Sequence, residues 1–203
     1  MKKSRKILIF IIIVIIIAIL GCLAYYFFFS NDSKEEVKII KDIKDYGYTL
    51  NENQTELYRN EFNKLDDILS KKDVDYEEYA KEVAKLFIID FYTLNNKISK
   101  NDIGGTEFIR EDMRDNFIEE ARSTFYKYLE VKSSSRNQDL PEVSKINGVS
   151  VEKTTFTYAD KTTDENAYRV TISWSYKEDL GYEDEANMII VREDKKLYIV
   201  EMD

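Results

Sequence analysis

Hydrophobic positions along the chain pass through three regimes. From Ile7 to Phe29 there is no period, because every residue is apolar, aromatic or small and none is charged. Taken as a helix at 1.5 Å per residue this run reaches about 34 Å, enough for a hydrocarbon core of about 30 Å. It predicts a transmembrane helix at 7–29 behind a short tail at 1–6. Next, Val37, Ile39, Ile40 and Ile43 run through a charged stretch with spacing that suits a helix, so 30–50 is expected to be a stalk or a first helix ahead of a domain at 51–203.

The second regime has the 3.6-residue period. Tyr58, Phe62, Leu65 and Leu69 recur on one helical face, and Asn53 is placed to accept from an early backbone N–H at its start. Asp75-Tyr-Glu-Glu78 offers a similar start to a second helix, whose inner face runs Ala80, Val83, Ala84, Phe87, Phe91 and Leu94. Leu86, Ile88 and Ile89 widen that face around most of the circumference, which makes this helix central. After Gly104-Gly105, a turn that needs unusual backbone freedom, a third helix is predicted from Arg110 to Leu129 with the stripe Phe117, Ala121, Thr124, Phe125 and Tyr128.

In the third regime the period drops to two. Tyr168, Val170, Ile172, Trp174 and Tyr176 alternate with Arg169, Thr171, Ser173, Ser175 and Lys177, the pattern of a strand with one buried face. Flanking strands are expected at Val149 to Tyr158, Ala186 to Arg192 and Leu197 to Met202, after a polar connector at 131–148. Short polar links between them suit antiparallel hairpins. Helices first and a meandering sheet last is an α+β order, with about three helices lying on a four-stranded antiparallel sheet. No βαβ alternation appears, so a parallel nucleotide-binding sheet is not expected.

Charge orients the N-terminal segment. Lys2, Lys3, Arg5 and Lys6 precede the apolar run while the far flank is mixed, so the N-terminus is expected in the cytoplasm and the domain outside the cell membrane. The stretch Ala18-Ile19-Leu20-Gly21-Cys22 also loosely fits a bacterial lipobox, which makes Cys22 a lipidation point in an alternative reading. Against it, Leu23 to Phe29 stay apolar where a processed lipoprotein turns polar, and the run exceeds a signal-peptide core of about 7 to 15 residues. An uncut signal anchor is the preferred reading.

Of 30 basic and 39 acidic residues, four basic ones precede the apolar run; the remaining 26 against 39 leave the exported part at a net −13. This excludes nucleic acid as the expected partner and a polybasic grip on anionic lipid. There is no His, and Cys22 is the one Cys. The domain therefore has no internal disulfide, no His or Cys metal ligand, and no Ser-His-Asp or Cys-His catalysis. No cofactor, metal site or enzymatic activity is expected. The acidic stretches at Asp160 to Glu165 and Glu178 to Glu185 lack the spacing of a calcium loop.

The element order resembles the nuclear transport factor 2-like fold, in the membrane-anchored type of type IV secretion and conjugation machines. The likeness is carried by Met1 to Lys6, the span Ile7 to Phe29, the helices around Tyr79 to Leu94 and Arg110 to Leu129, and the strands around Tyr168 to Tyr176 and Leu197 to Met202. It implies a cone-shaped domain that docks other envelope proteins or self-associates. The same fold also hosts small-ligand pockets. The stretch "LFIIDFYTLNNKISKNDIGG" is also similar to small anchored proteins of low-GC bacteria.

Five residues are candidates for binding. Asp90 falls at the margin of the buried face of the second helix, where a carboxylate needs a partner; Lys97, Arg110, Arg114 and the Gly104-Gly105 N–H groups are the options. It is read first as a structural carboxylate and second as a pocket acid. Arg110 and Arg114 repeat at i, i+4 among acidic neighbours, as a solvated helix start or an anion-binding pair. Tyr92 and Trp174 are core aromatics or ligand contacts. The expected role is a membrane-tethered protein-interaction module, with a small-ligand or peptide-binding domain as the alternative. A deep aromatic cavity favours the alternative, and a free sheet edge favours docking.

Overall fold

The structure is a computed structural model and describes residues 38–203 together with Ile19. The predicted anchor at 7–29, the tail before it and Cys22 lie outside the described residues. Among the described residues no helix is long and apolar enough to cross a membrane.

Residues 38–51, within the stretch expected as a stalk or first helix, form a hairpin of β1 (Ile39–Ile43) and β2 (Tyr48–Asn51). The helical spacing at 39, 40 and 43 misleads because Ile39 and Ile40 are exposed, and only Ile43 turns inward. The buried side chains here are Ile43, Tyr48 and Leu50, the last two alternating along β2. The Tyr48 hydroxyl lies 2.7 Å from that of Tyr79 and donates to the Leu197 carbonyl at 3.1 Å, which ties the hairpin to a helix and a strand far along the chain. The compact unit therefore runs from Lys38 to Asp203, not from residue 51.

Helix α1 (Glu56–Leu69) buries Tyr58, Phe62, Leu65 and Leu69 as its stripe predicts. Its cap is Thr55, whose hydroxyl accepts from the Tyr58 N–H at 3.2 Å, instead of Asn53. The Asn53 amide reaches across to the Asn96 carbonyl. Helix α2 (Tyr76–Tyr92) starts at Asp75, which accepts from the N–H groups of Glu77 and Glu78. It lies between α1 on one side and the sheet on the other, which accounts for its broad apolar surface.

Helix α3 (Glu111–Ser123) is shorter than the predicted 110–129. At Thr124 the backbone leaves the helical region, and the Tyr126 N–H bonds back to the Ala121 carbonyl at 2.9 Å. The turn brings Tyr126 into the core and leaves Tyr128 76% exposed, so the predicted stripe stops at Phe125.

Four strands follow: β3 (Val143–Thr157), β4 (Thr163–Tyr176), β5 (Glu185–Glu193) and β6 (Lys196–Met202). They pair antiparallel in the order β3-β4-β5-β6. The chain is thus α+β, with three helices on a four-stranded antiparallel sheet. β4 buries Tyr168, Val170, Ile172 and Trp174 toward the helices. β3 starts six residues inside the predicted connector, since Val143 to Gly148 pair with β4 through register irregularities that obscure any alternation.

Candidate functional site

The turn after α2 gathers the buried polar groups. Asp90 is buried and accepts from three groups: the Lys97 ammonium at 2.5 Å, the Gly105 N–H at 2.6 Å and the Gln54 amide at 2.9 Å. Burial alone would raise its pKa. The Lys97 charge beside it, with the hydrogen bonds from Lys97, Gln54 and Gly105, outweighs that and holds the carboxyl below its ordinary value. Lys97 is itself buried, in the loop beyond α2. An ion pair this enclosed is held by its geometry, because either charge alone would cost several kcal/mol there. Asp90 fastens the 93–110 loop onto α2, and its oxygens are occupied by the chain's own donors.

Glu107 sits nearby, on the single 3-10 turn Thr106–Phe108. It accepts from the Thr49 N–H and hydroxyl, both at 3.1 Å, and from the Tyr58 hydroxyl at 3.2 Å. Burial, and then the negative charge of Asp90, push it up to about 7 despite the opposing pull of Thr49 and Lys196. A second acid pair joins α1 to α2. Lys85 reaches Glu82 at 2.6 Å and Glu61 at 3.4 Å, and burial drives Glu82 to about 7 against the pull of Lys85. Among the described residues no group of three or more His, Cys, Asp or Glu side chains is placed to hold a metal ion.

The two arginines are each engaged by acceptors of the chain itself. Arg110 pairs with Asp112, lies 3.7 Å from Glu193 and stacks 4.9 Å from the Tyr158 ring centre. Arg114 donates to the carbonyls of Thr106 at 3.1 Å and Ile109 at 3.4 Å. Each guanidinium is used to fix the entry into α3. Trp174 is fully buried, its ring centre 4.9 Å from that of Tyr92. Of the five predicted binding residues, only Tyr92 reaches the pocket.

That pocket is a cavity of about 460 Å³ between α2, α3 and β6. Phe87, Phe91 and Tyr92 come from α2, and Met113, Phe117 and Ala121 from α3. Phe125, after the helix, closes one side, and Ile199 to Met202 of β6 form the other. Phe91 is the hub, with ring centres 5.3 to 5.5 Å from Phe87, Phe117 and Phe125. Three carboxylates also line it, Glu120, Glu183 and Glu201, and each is exposed, which puts them at the mouth. The Tyr92 hydroxyl donates to Glu183 at 3.4 Å, with its phenol pushed above its ordinary value by burial and by that charge.

Sequence reading found the stripes of α2 and α3 but not the space between them. Helical periodicity reports which side chains turn inward, and it is silent on whether two inward faces meet. The available signal is the pair of smaller residues, Ala121 and Thr124, within a stripe that is otherwise aromatic, both of which line the cavity. No protein family, curated protein or solved structure matches the chain.

Proposed function

We propose that this chain is a binding domain tethered to the outer face of the cell membrane, and that the pocket between α2, α3 and β6 takes a small molecule with an apolar body. The reading is carried by one observation: an open, aromatic-walled cavity of about 460 Å³. That volume lies within the roughly 300–1,000 Å³ of small-ligand sites. The tether rests on the uncharged run Ile7 to Phe29 and the basic residues before it. Helices leading into a four-stranded sheet, with the pocket between them, support placing the domain with the cone-shaped nuclear transport factor 2-like type. No reaction is assigned.

A single observation favours docking as a second reading. β3 is an edge strand of 15 residues that pairs only with β4 among the described residues. Such an edge can add a strand from an envelope partner or a second copy.

Trp174 is the only Trp and packs on a pocket residue, so 5-fluorotryptophan gives one ¹⁹F resonance beside the site. Full-length protein in unlabelled nanodiscs is titrated with 1-naphthalenemethanol. The expected result is a saturable shift of that resonance, abolished by Ala121→Phe, which fills the cavity. A resonance unmoved by the probe removes the ligand-binding reading and leaves docking.

A further inference from the structure

The walls of the pocket set the shape of its ligand, and the mouth sets its charge. Resting on the ligand-binding reading above, we infer that the ligand is an amphiphilic cation: an apolar body seated among Phe91, Phe117 and Phe125, with an amine or quaternary ammonium at the mouth facing Glu120, Glu183 and Glu201. The assignment comes from an asymmetry in the lining. Three carboxylates line the cavity and no lysine or arginine does.

Four other acids whose side chains are largely enclosed do have a lysine partner. Glu61, Glu82 and Asp90 each lie within 2.8 Å of a lysine nitrogen, and Glu142 is 2.7 Å from Lys177. None of the three mouth carboxylates forms an ion pair among the described residues. They come from three separate segments: Glu120 from α3, Glu201 from β6 and Glu183 from the β4–β5 loop. Their convergence is thus a product of the fold, not of a local acidic run. The aromatic walls add to the preference, since a ring face attracts a cation and repels an anion. Carboxylates at a rim stay hydrated when the pocket is empty and gain a partner when a cation arrives, without the cost of burying a lone charge.

The test uses three naphthalene probes of similar size on the fluorotryptophan-labelled full-length protein: 1-naphthylmethyl-trimethylammonium, 1-naphthalenemethanol and 1-naphthalenesulfonate. If each exposed carboxylate contributes a factor of about 2 to 5, the cation binds about 8- to 125-fold tighter than the alcohol, and the sulfonate binds weakest. Raising the salt to about 0.5 M narrows the difference. The combined variant Glu120→Gln, Glu183→Gln and Glu201→Gln, all at exposed positions, removes most of the cation's advantage over the alcohol and leaves only the share the ring faces supply. Equal affinities for cation and alcohol overturn the charge assignment while the pocket stands. A preference undiminished in the triple variant also overturns it, since the attraction would then come from the ring faces or the net acidity of the whole chain and not from these carboxylates. Failure of all three probes to bind removes the pocket itself.

Discussion

Asp90, near the end of α2, and Glu107, on the nearby 3-10 turn, are driven in opposite directions. Lys97 is close enough to Asp90 to overcome burial, and its carboxyl is held low; Glu107 has no such cation in contact, and burial lifts it from 4.5 to about 7. The consequences for stability have opposite signs. Asp90 contributes above its unfolded value of 3.8, and that contribution is lost as pH falls through its lower folded value. For Glu107 the folded state holds its proton where the unfolded chain has released it. Its contribution is complete below 4.5 and is lost as pH rises from 4.5 to about 7. Urea denaturation should therefore show stability declining across that window by about 2 kcal/mol on account of Glu107, allowing for its partial solvent contact. Glu107→Gln, which keeps an acceptor for Thr49, should remove its share of that decline, leaving the share due to Glu82, and leave the acid limb unchanged. An unaltered profile between pH 5 and 8 would show that Glu107 ionises normally.

Among the elements, the glycine turn between α2 and α3 leaves no room for a side chain. Gly105 has φ of 75°, and a Cβ there would come within 2.6 Å of the Phe87 ring. Gly181, in the β4–β5 loop, has the same φ of 75° but nothing within 4 Å of a Cβ. The two positions separate backbone strain from steric conflict. Gly181→Ala should cost about 1 kcal/mol, the left-handed backbone penalty alone. Gly105→Ala should cost about 2 to 4 kcal/mol, because Phe87 must also move and it supports both the core and the pocket wall. Denaturation midpoints of the two variants check this; equal losses would mean that Phe87 yields freely.

At the scale of the whole molecule, the proposal joins an acidic exported domain to an apolar membrane segment. The net −13 of that part keeps it off anionic surfaces and draws cations toward it. The pocket adds a specific place for one of them. Protease added to intact cells should degrade the domain, while carbonate washing should leave uncleaved chain with the membrane. A domain protected in unbroken cells would overturn the outward orientation, and release by carbonate would overturn the anchor.

Two kinds of information can be separated in this protein. Composition alone marks the uncharged run at 7–29, and local pattern alone marks the stripes of α1 and α2 and the alternation of β4, hence the α+β order, because each of these patterns repeats with the period of the local backbone. Local pattern also marks Asp90 as a carboxylate in need of a partner. Contacts across the fold are what select Lys97 as that partner, make residues 39–51 a hairpin held by Tyr79 and Leu197, and end α3 at Ser123 with Tyr126 turned inward. The fold alone places Glu120, Glu183 and Glu201 around one opening. These outcomes depend on groups tens of residues apart meeting across the core, and no local period encodes a distance between two faces.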